Sequence, residues 1–305
     1  YNMESNLVQA EHAVPDMAYV GGIQPNLILG VLLGAEFIFP EGADADITVS
    51  PLKGLASVRD LPSPAELTSH PLMIRFREQV QELREKELTV LPPYFWDLSG
   101  RATIHGFITT AYKLVGEEIF IRMFEDPEFL IELHRWITGS YTALVRYCAG
   151  LTGLEATSVH IGECSGAMLS ERDFERFVRP FADEMGRSFG SVRFHSCGNS
   201  DHLLESITAI TGIGSVDTGS GTSVSRLREL GGPDLLIELA PPVELLLAEA
   251  DPADMRRWAD RVLEENKGGP IRFGYHLEPG YNLESIFALH DRLAERGLPA
   301  KGRRP

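Results

Sequence analysis

His195 and Cys197 stand two residues apart at the end of a short apolar run, within RFHSCGNSDH (193–202). Side chains two apart on a strand point the same way, so an imidazole and a thiol here would share one face. That pair suits Zn²⁺, which at catalytic sites takes three protein ligands and keeps a fourth position open. Other residues of ligand or proton-handling type fall at comparable places. Glu163 and Cys164 follow ATSVHIG (156–162), Asp217 closes GIGSVD (212–217) and Glu238 lies within LLIEL (235–239). Tyr275 and His276 close PIRFGYH (270–276), with Glu278 just beyond. Taken alone, His195 and Cys197 read equally well as a hydrogen-bonded histidine beside a small buried thiol.

The elements that must position these residues alternate in type. β-prone runs, among them TVLPPYF (89–95) and SVRFH (191–195), are separated by segments of helical apolar spacing. Examples of the latter are PEFLIELHRWITGSYTALVRYCAG (127–150) and PADMRRWADRVLEEN (252–266). Ser170, followed by Asp173, and the group Asn199, Ser200 and Asp201 offer capping oxygens at helix starts. Alternating strands and helices imply βαβ units around a parallel sheet. The length suits a (β/α)₈ TIM barrel, which typically takes about 250 residues, here with N-terminal helical additions. A doubly wound sheet would show a Gly-rich phosphate turn after its first strand, and none is read early in the chain. TGSGTS (218–223) has the glycines of a ligand loop but reads as a connection.

We therefore expect one domain over 1–305, with 1–88 as an N-terminal extension and first elements and 89–305 as the main βα repeats. The Pro-rich piece 50–64 reads as a surface connection. In a barrel, catalytic groups come from the C-terminal strand ends, where the candidates above fall. Glu163, Asp217 and Tyr275 are the candidates for catalytic roles, and Tyr94, Trp96, His160 and Glu238 for contact with a substrate. His105, His134 and His290 read as packing residues in helix-like segments, and Cys148 as core.

Charge and composition exclude several partners. With 28 Lys and Arg against 44 Asp and Glu, the net charge is −16, which argues against nucleic acid and anionic lipid, because both require clustered cations. Three cysteines cannot all pair and form no secreted disulfide framework. That favours a reducing, cytoplasmic setting in which thiols stay free for metal. The most apolar window, 26–39, is too short for a membrane span and contains Gly30, Gly34 and Glu36. Nothing in the first residues reads as a secretory leader.

Four stretches carry a resemblance to a known family: SGAMLSERDFERFVRPF (165–181), FHSCGNSDHLLESI (194–207), ELAPPVELLLAEADPADMRRWADRVLEE (238–265) and GYHLEPGYNLESI (274–286). Together they resemble the uroporphyrinogen decarboxylase-like superfamily, in particular its corrinoid-dependent methyltransferase branch, over about residues 15–296. The resemblance implies a (β/α)₈ barrel. It also implies a zinc ion held by the His-x-Cys pair and by a third Cys from a later Gly-Cys motif.

The sequence departs from that pattern at one point. Tyr275 occupies the position of the later Cys, so a third ligand must come from Glu163, His276, Cys164 or Glu278, with Glu163 the first choice. A His, Cys and carboxylate set would make zinc a Lewis acid suited to the oxygen of a methoxy group. The expected activity is transfer of methyl between a small methoxylated substrate, such as an aryl methyl ether, and a corrinoid. The corrinoid would arrive on a partner protein, because the Asp-x-His-x-x-Gly cobalamin motif is absent. The alternative is methylcorrinoid:thiol methyl transfer, which a thiolate-rich site would favour. Metal-free porphyrinogen decarboxylation and a catalytically silent binding barrel rank below both. The decarboxylase would need arginines that VPDMAYVGGIQPN (14–26) does not contain.

Overall fold

The fold is described from a computed structural model, over residues 17–20, 25–39, 41, 46–48, 50–275 and 278–298. β1 (Met17–Tyr19) leads through α1 (Pro25–Leu32) to a short antiparallel ribbon of β2 (Phe37–Ile38) and β3 (Asp46–Ile47). Then α2 (Pro64–Leu67) and α3 (Pro71–Glu85) return the chain to β4 (Thr89–Leu91), which pairs in parallel with β1. A loop leads to β5 (Arg101–His105), and three helices follow: α4 (Phe107–Val115), α5 (Glu118–Glu125) and the long α6 (Pro127–Thr152). Next come β6 (Ser158–Gly162), α7 (Glu171–Phe177), α8 (Arg179–Phe189), β7 (Val192–Ser196), α9 (Leu204–Thr208) and β8 (Ile213–Thr218). The chain continues with α10 (Val224–Gly231), β9 (Leu236–Leu239), α11 (Pro252–Glu265), β10 (Ile271–Phe273) and α12 (Leu283–Glu295).

Strands β5 to β10 form one six-stranded parallel sheet in sequence order, and β1 with β4 forms a second parallel ladder. This is the expected α/β architecture of the (β/α)₈ barrel. The elements start where their sequences provide a cap. Ser63 and Glu66 close a capping box at α2, and Ser170 Oγ accepts the Asp173 N–H at the start of α7. The long α6 stops at Gly153, whose φ of 75° is cheap only for a residue without Cβ.

Period-two alternation divides each strand of the large sheet into an apolar face and a polar one. Ala102, Ile104, Val159, Ile161, Val192, Phe194, Val216, Ile237 and Leu239 are all buried. They face the helices: Phe194 meets Phe174 of α7 edge to face. Burying one such large side chain contributes roughly 1.5–3 kcal/mol, so this outer layer holds the sheet to its helices. The helix layer includes His134 of α6, which lies against Phe107 and Phe181 with Nδ1 2.7 Å from the Phe177 carbonyl. Burial lowers its pKa to about 4, so it stays neutral and packs as expected.

The opposite face of the strands carries Arg101, Thr103 and His105 on β5, and Ser158, His160 and Gly162 on β6. On the later strands it carries Arg193 and His195, Asp217, Glu238 and Arg272. Barrel lumens are usually filled by branched apolar residues; this one is lined with charge and imidazole. His105 therefore differs from its expected place. It ends a strand and faces the lumen, rather than packing within a helix.

Candidate metal centre

Six lumen-facing positions share one level across the sheet. Register pairs His105 with Gly162, Gly162 with His195, His195 with Asp217, Asp217 with Glu238 and Glu238 with Arg272. The level lies at or near the C-terminal ends of the strands, where barrels place their chemistry. On β10 the neighbouring Phe273 packs edge to face on Trp258 of α11, which leaves Arg272 on the lumen side.

Three ligand-type atoms gather above this row. The donor atoms of Cys164, His195 and Cys197 all lie within 4.8 Å of one another, the one such group of three or more among the described residues. His195 Nε2 is 2.8 Å from Cys197 Sγ, and Cys197 Sγ is 2.9 Å from Cys164 Sγ. Asp217 Oδ2 lies 2.6 Å from His195 Nδ1. Nδ1–H donates to that carboxylate, so Nε2 is the nitrogen that faces the thiols. Burial alone would lower the pKa of His195; Asp217 and the Cys164 thiolate raise it to about 9. The Cys197 thiol, hydrogen-bonded to Cys164, brings Cys164 down to about 4, and the same bond pushes Cys197 up. One thiolate, one thiol and a protonated imidazole thus form a tight cluster at the lumen rim.

Glu163, the first choice for a third ligand, points elsewhere. Its fully buried carboxylate accepts the N–H groups of Ile108 and Thr109 at 3.0 and 3.1 Å and the Thr109 hydroxyl at 2.9 Å. These are the exposed donors of the first turn of α4, whose own cap residue, Gly106, has no side chain to offer. The side chain crosses from β6 to finish another helix. Its path is tight: a Cβ on Gly106 would lie 2.2 Å from Glu163 Oε2, and one on Gly166 2.8 Å from Glu163 Cγ. Burial pushes the carboxyl up to about 7, against the pull of its hydrogen bonds to Thr109, Ile108 and Phe107. The same turn of α4 holds the residue after Cys164, since Thr109 Oγ1 accepts the Ser165 N–H at 3.2 Å. On the other side, Glu163 N–H donates to the His195 carbonyl at 2.9 Å. Cys164 is thereby fixed between β7 and α4, with its thiol in the group that includes His195 and Cys197.

The row continues as an ion network that composition did not reveal. Arg193, two before His195 and therefore on the same face, meets Glu238 through Nε at 2.6 Å and Asp217 through a terminal nitrogen at 2.8 Å. It also donates to His160 Nδ1 at 2.7 Å. Arg272 adds a contact to Glu238 at 3.0 Å and leaves most of its side chain, 59%, exposed. His160 lines the lumen, its ring centroid 5.8 Å from that of His195. Burial, then the charge of Arg193, lowers it to about 3. His105, read from the sequence as a packing residue in a helix-like segment, also faces this lumen. Its imidazole is buried enough to hold its pKa near 4, and Nδ1 has no hydrogen-bond partner.

The other candidates among the described residues are not brought to the cluster. The Tyr275 hydroxyl lies 2.6 Å from His290 Nε2 on α12. Tyr94 is buried edge to face on Tyr141, and Trp96 is half exposed. His276 lies outside the described residues, and Glu278 is exposed.

The three donors fit zinc. Two sulfurs and one imidazole nitrogen match a known catalytic set, and the Asp217–His195 bond is of the kind that supports metal-bound histidines. Asp217→Asn keeps the shape but weakens that support, and should cost roughly 10–100-fold in zinc affinity, measured by competition with a chromogenic chelator.

The sequence profile described as Uroporphyrinogen decarboxylase (URO-D) matches residues 25–295. No curated protein matches. Among solved structures, a methyltransferase from Methanosarcina mazei superposes with TM-score 0.67 and 17% identity, covering 95% of this chain and 83% of its own. A B12-independent methionine synthase from Shewanella sp. W3-18-1, in complex with selenomethionine, aligns at TM-score 0.46 and 10% identity, covering 72% and 67%. No helix among the described residues is long and apolar enough to cross a membrane.

Proposed function

The chain belongs to the uroporphyrinogen decarboxylase (URO-D) family, and on that premise we propose that it is a zinc-dependent methyltransferase whose methyl-bearing partner is a corrinoid on a separate protein. The observation that carries this reading is the cluster of Cys164, His195 and Cys197 at the C-terminal rim of the barrel. A decarboxylase acting without metal has no use for two thiols and an imidazole converging on one point. The fold likeness to a methyltransferase agrees with the proposal.

The donor set also shifts the proposed substrate. Oxygen chemistry on a methoxy group was expected from a carboxylate ligand, and the Glu163 carboxylate is committed to α4. A set of two sulfurs and one nitrogen matches a soft acceptor better, so methyl transfer to a thiol becomes the leading reading and ether demethylation the second. When bound, zinc would supply the charge that keeps a substrate thiol deprotonated. The residues of the chain do the remaining work. Asp217 orients His195, and Arg193 ties Asp217 to Glu238. Gly162 leaves open the space beside His195 that any side chain would fill, with His105 and His160 at its edges. Arg272 presents an exposed guanidinium to the same lumen, where it could meet an anionic end of the substrate.

The test is direct. Purified protein should carry about one zinc per chain by elemental analysis. Supplied with methylcobalamin and a series of small thiols, it should release demethylated cobalamin, followed by its absorbance. Metal-free protein that transfers methyl at the same rate would sink the zinc reading. Turnover only with reduced cobalamin and aryl methyl ethers would restore the oxygen reading.

A further inference from the structure

The two thiols at the metal position also face each other. Cys164 Sγ and Cys197 Sγ lie 2.9 Å apart, just past the ends of adjacent strands held together by the Glu163 N–H to His195 carbonyl bond. Both are exposed, while Cys148, the third cysteine of the chain, is fully buried in α6. Each exposed thiol therefore has one partner within reach. The attacking and resolving sulfurs of a peroxide-sensitive pair are set out in the same way, accessible and adjacent.

We propose that Cys164 and Cys197 are a reversible disulfide site, closed by a peroxide-class oxidant, and that closing it dismantles the metal centre. The metal half of this inference rests on the zinc reading above; the disulfide half rests on the placement of the thiols. Cys164 sulfur attacks one peroxide oxygen, the O–O bond breaks, and the leaving hydroxide takes a proton to become water. Cys164 is then a sulfenic acid. Cys197 sulfur attacks the Cys164 sulfur, the S–S bond forms and the S–O bond breaks. The second hydroxide leaves with the proton from Cys197 as another water. Two thiols lose two electrons, and one hydrogen peroxide becomes two waters. Disulfide sulfurs are no longer thiolates, so of three donors His195 alone remains, too few to retain zinc. A dithiol reductant reverses the change by exchange, leaving as its own disulfide.

Treating the zinc-loaded full chain with hydrogen peroxide tests the proposal. Expected are a mass loss of about 2 Da per chain, as two thiols become one disulfide, and a proteolytic fragment joining Cys164 to Cys197. Release of the bound zinc to a chromogenic chelator should accompany them, with recovery on dithiothreitol and added zinc. Cys148→Ser should behave as the parent. Cys197→Ser should give no bridge, and its Cys164 should instead be trapped as sulfenic acid by dimedone. Sulfinic acid on Cys164 without a bridge, or a bridge to Cys148 or between chains, overturns the proposal. A zinc-loaded chain that forms no bridge does so while leaving the methyltransferase reading standing. A chain that bridges without ever having bound zinc overturns the metal-release half and the zinc reading together.

Discussion

Cys164→Ser is expected to leave the purified protein with little zinc and less than about 1% of its methyl transfer. The hydroxyl occupies nearly the same space, so the fold should survive, with an unchanged circular dichroism spectrum and urea midpoint. What is lost is one of three donors, and a serine oxygen does not replace a thiolate at neutral pH. Removing an outer hydrogen bond from a metal ligand already costs roughly 10–100-fold in affinity, so loss of a ligand should exceed that. Elemental analysis after dialysis against a weak chelator measures it. Glu163→Gln is the decisive comparison. If Glu163 were the third ligand, that variant would lose zinc and Cys164→Ser would keep it. The geometry predicts the reverse, because the Glu163 carboxylate bonds Ile108 and Thr109 while the Cys164 sulfur faces His195 and Cys197.

The second large effect concerns the same carboxylate as a structural part. Glu163→Ala strips the first turn of α4 of its acceptor and leaves the fully buried Ile108 amide and the half-buried Thr109 amide without partners. Each buried donor left unsatisfied costs about 1–3 kcal/mol, and the emptied volume adds to this. A loss of about 3–5 kcal/mol, measured by urea denaturation, is expected from these terms together. Gly106→Ala should act at the same joint from the other side. Its φ of −67° suits any residue, so the damage comes from the new methyl, placed 2.2 Å from Glu163 Oε2, and overpacking of this kind costs typically about 1–3 kcal/mol. Both variants should also weaken zinc binding without touching a ligand, because Cys164 is positioned by its neighbours Glu163 and Ser165. The double variant should be less destabilised than the sum of the two, since Glu163→Ala removes the group that the new methyl strikes. Simple additivity would show that Gly106 and Glu163 do not act through one contact.

Much of the barrel was legible because its strands show apolar alternation bounded by turn residues. The runs at 156–162, 191–195, 212–217 and 235–239 all overlap observed strands. Arg101–His105 was not read as one. Its lumen-facing half is Arg101, Thr103 and His105, which leaves only Ala102 and Ile104 to mark it as apolar. A strand whose inner face lines a polar cavity loses half of its hydrophobic signal, and His105 went unrecognised with it. Spacing at a strand end marked His195 and Cys197 as candidates, and the family resemblance singled them out. The choice between Glu163 and Cys164 was not legible, since the chain leaves the strand at Gly162 and alternation stops there. That choice was made by the open N-terminus of α4, some 55 residues earlier. Arg193 could have been found by the rule that marked His195, applied one pair earlier along the strand.

The position of Cys164 has a consequence for the rest of the barrel. All three donors come from the ends of β6 and β7, 33 residues apart at most, so the centre is assembled from one local neighbourhood. Among the described residues, the far wall of β9 and β10 adds no donor to this group. Tyr275 braces the chain after β10 against His290, and the largely exposed Arg272 is free to change, while Glu238 stays tied to Asp217 through Arg193. In such a layout, reactivity and recognition can drift independently: new substrates can be tried on one side of the lumen while the other side keeps its chemistry intact.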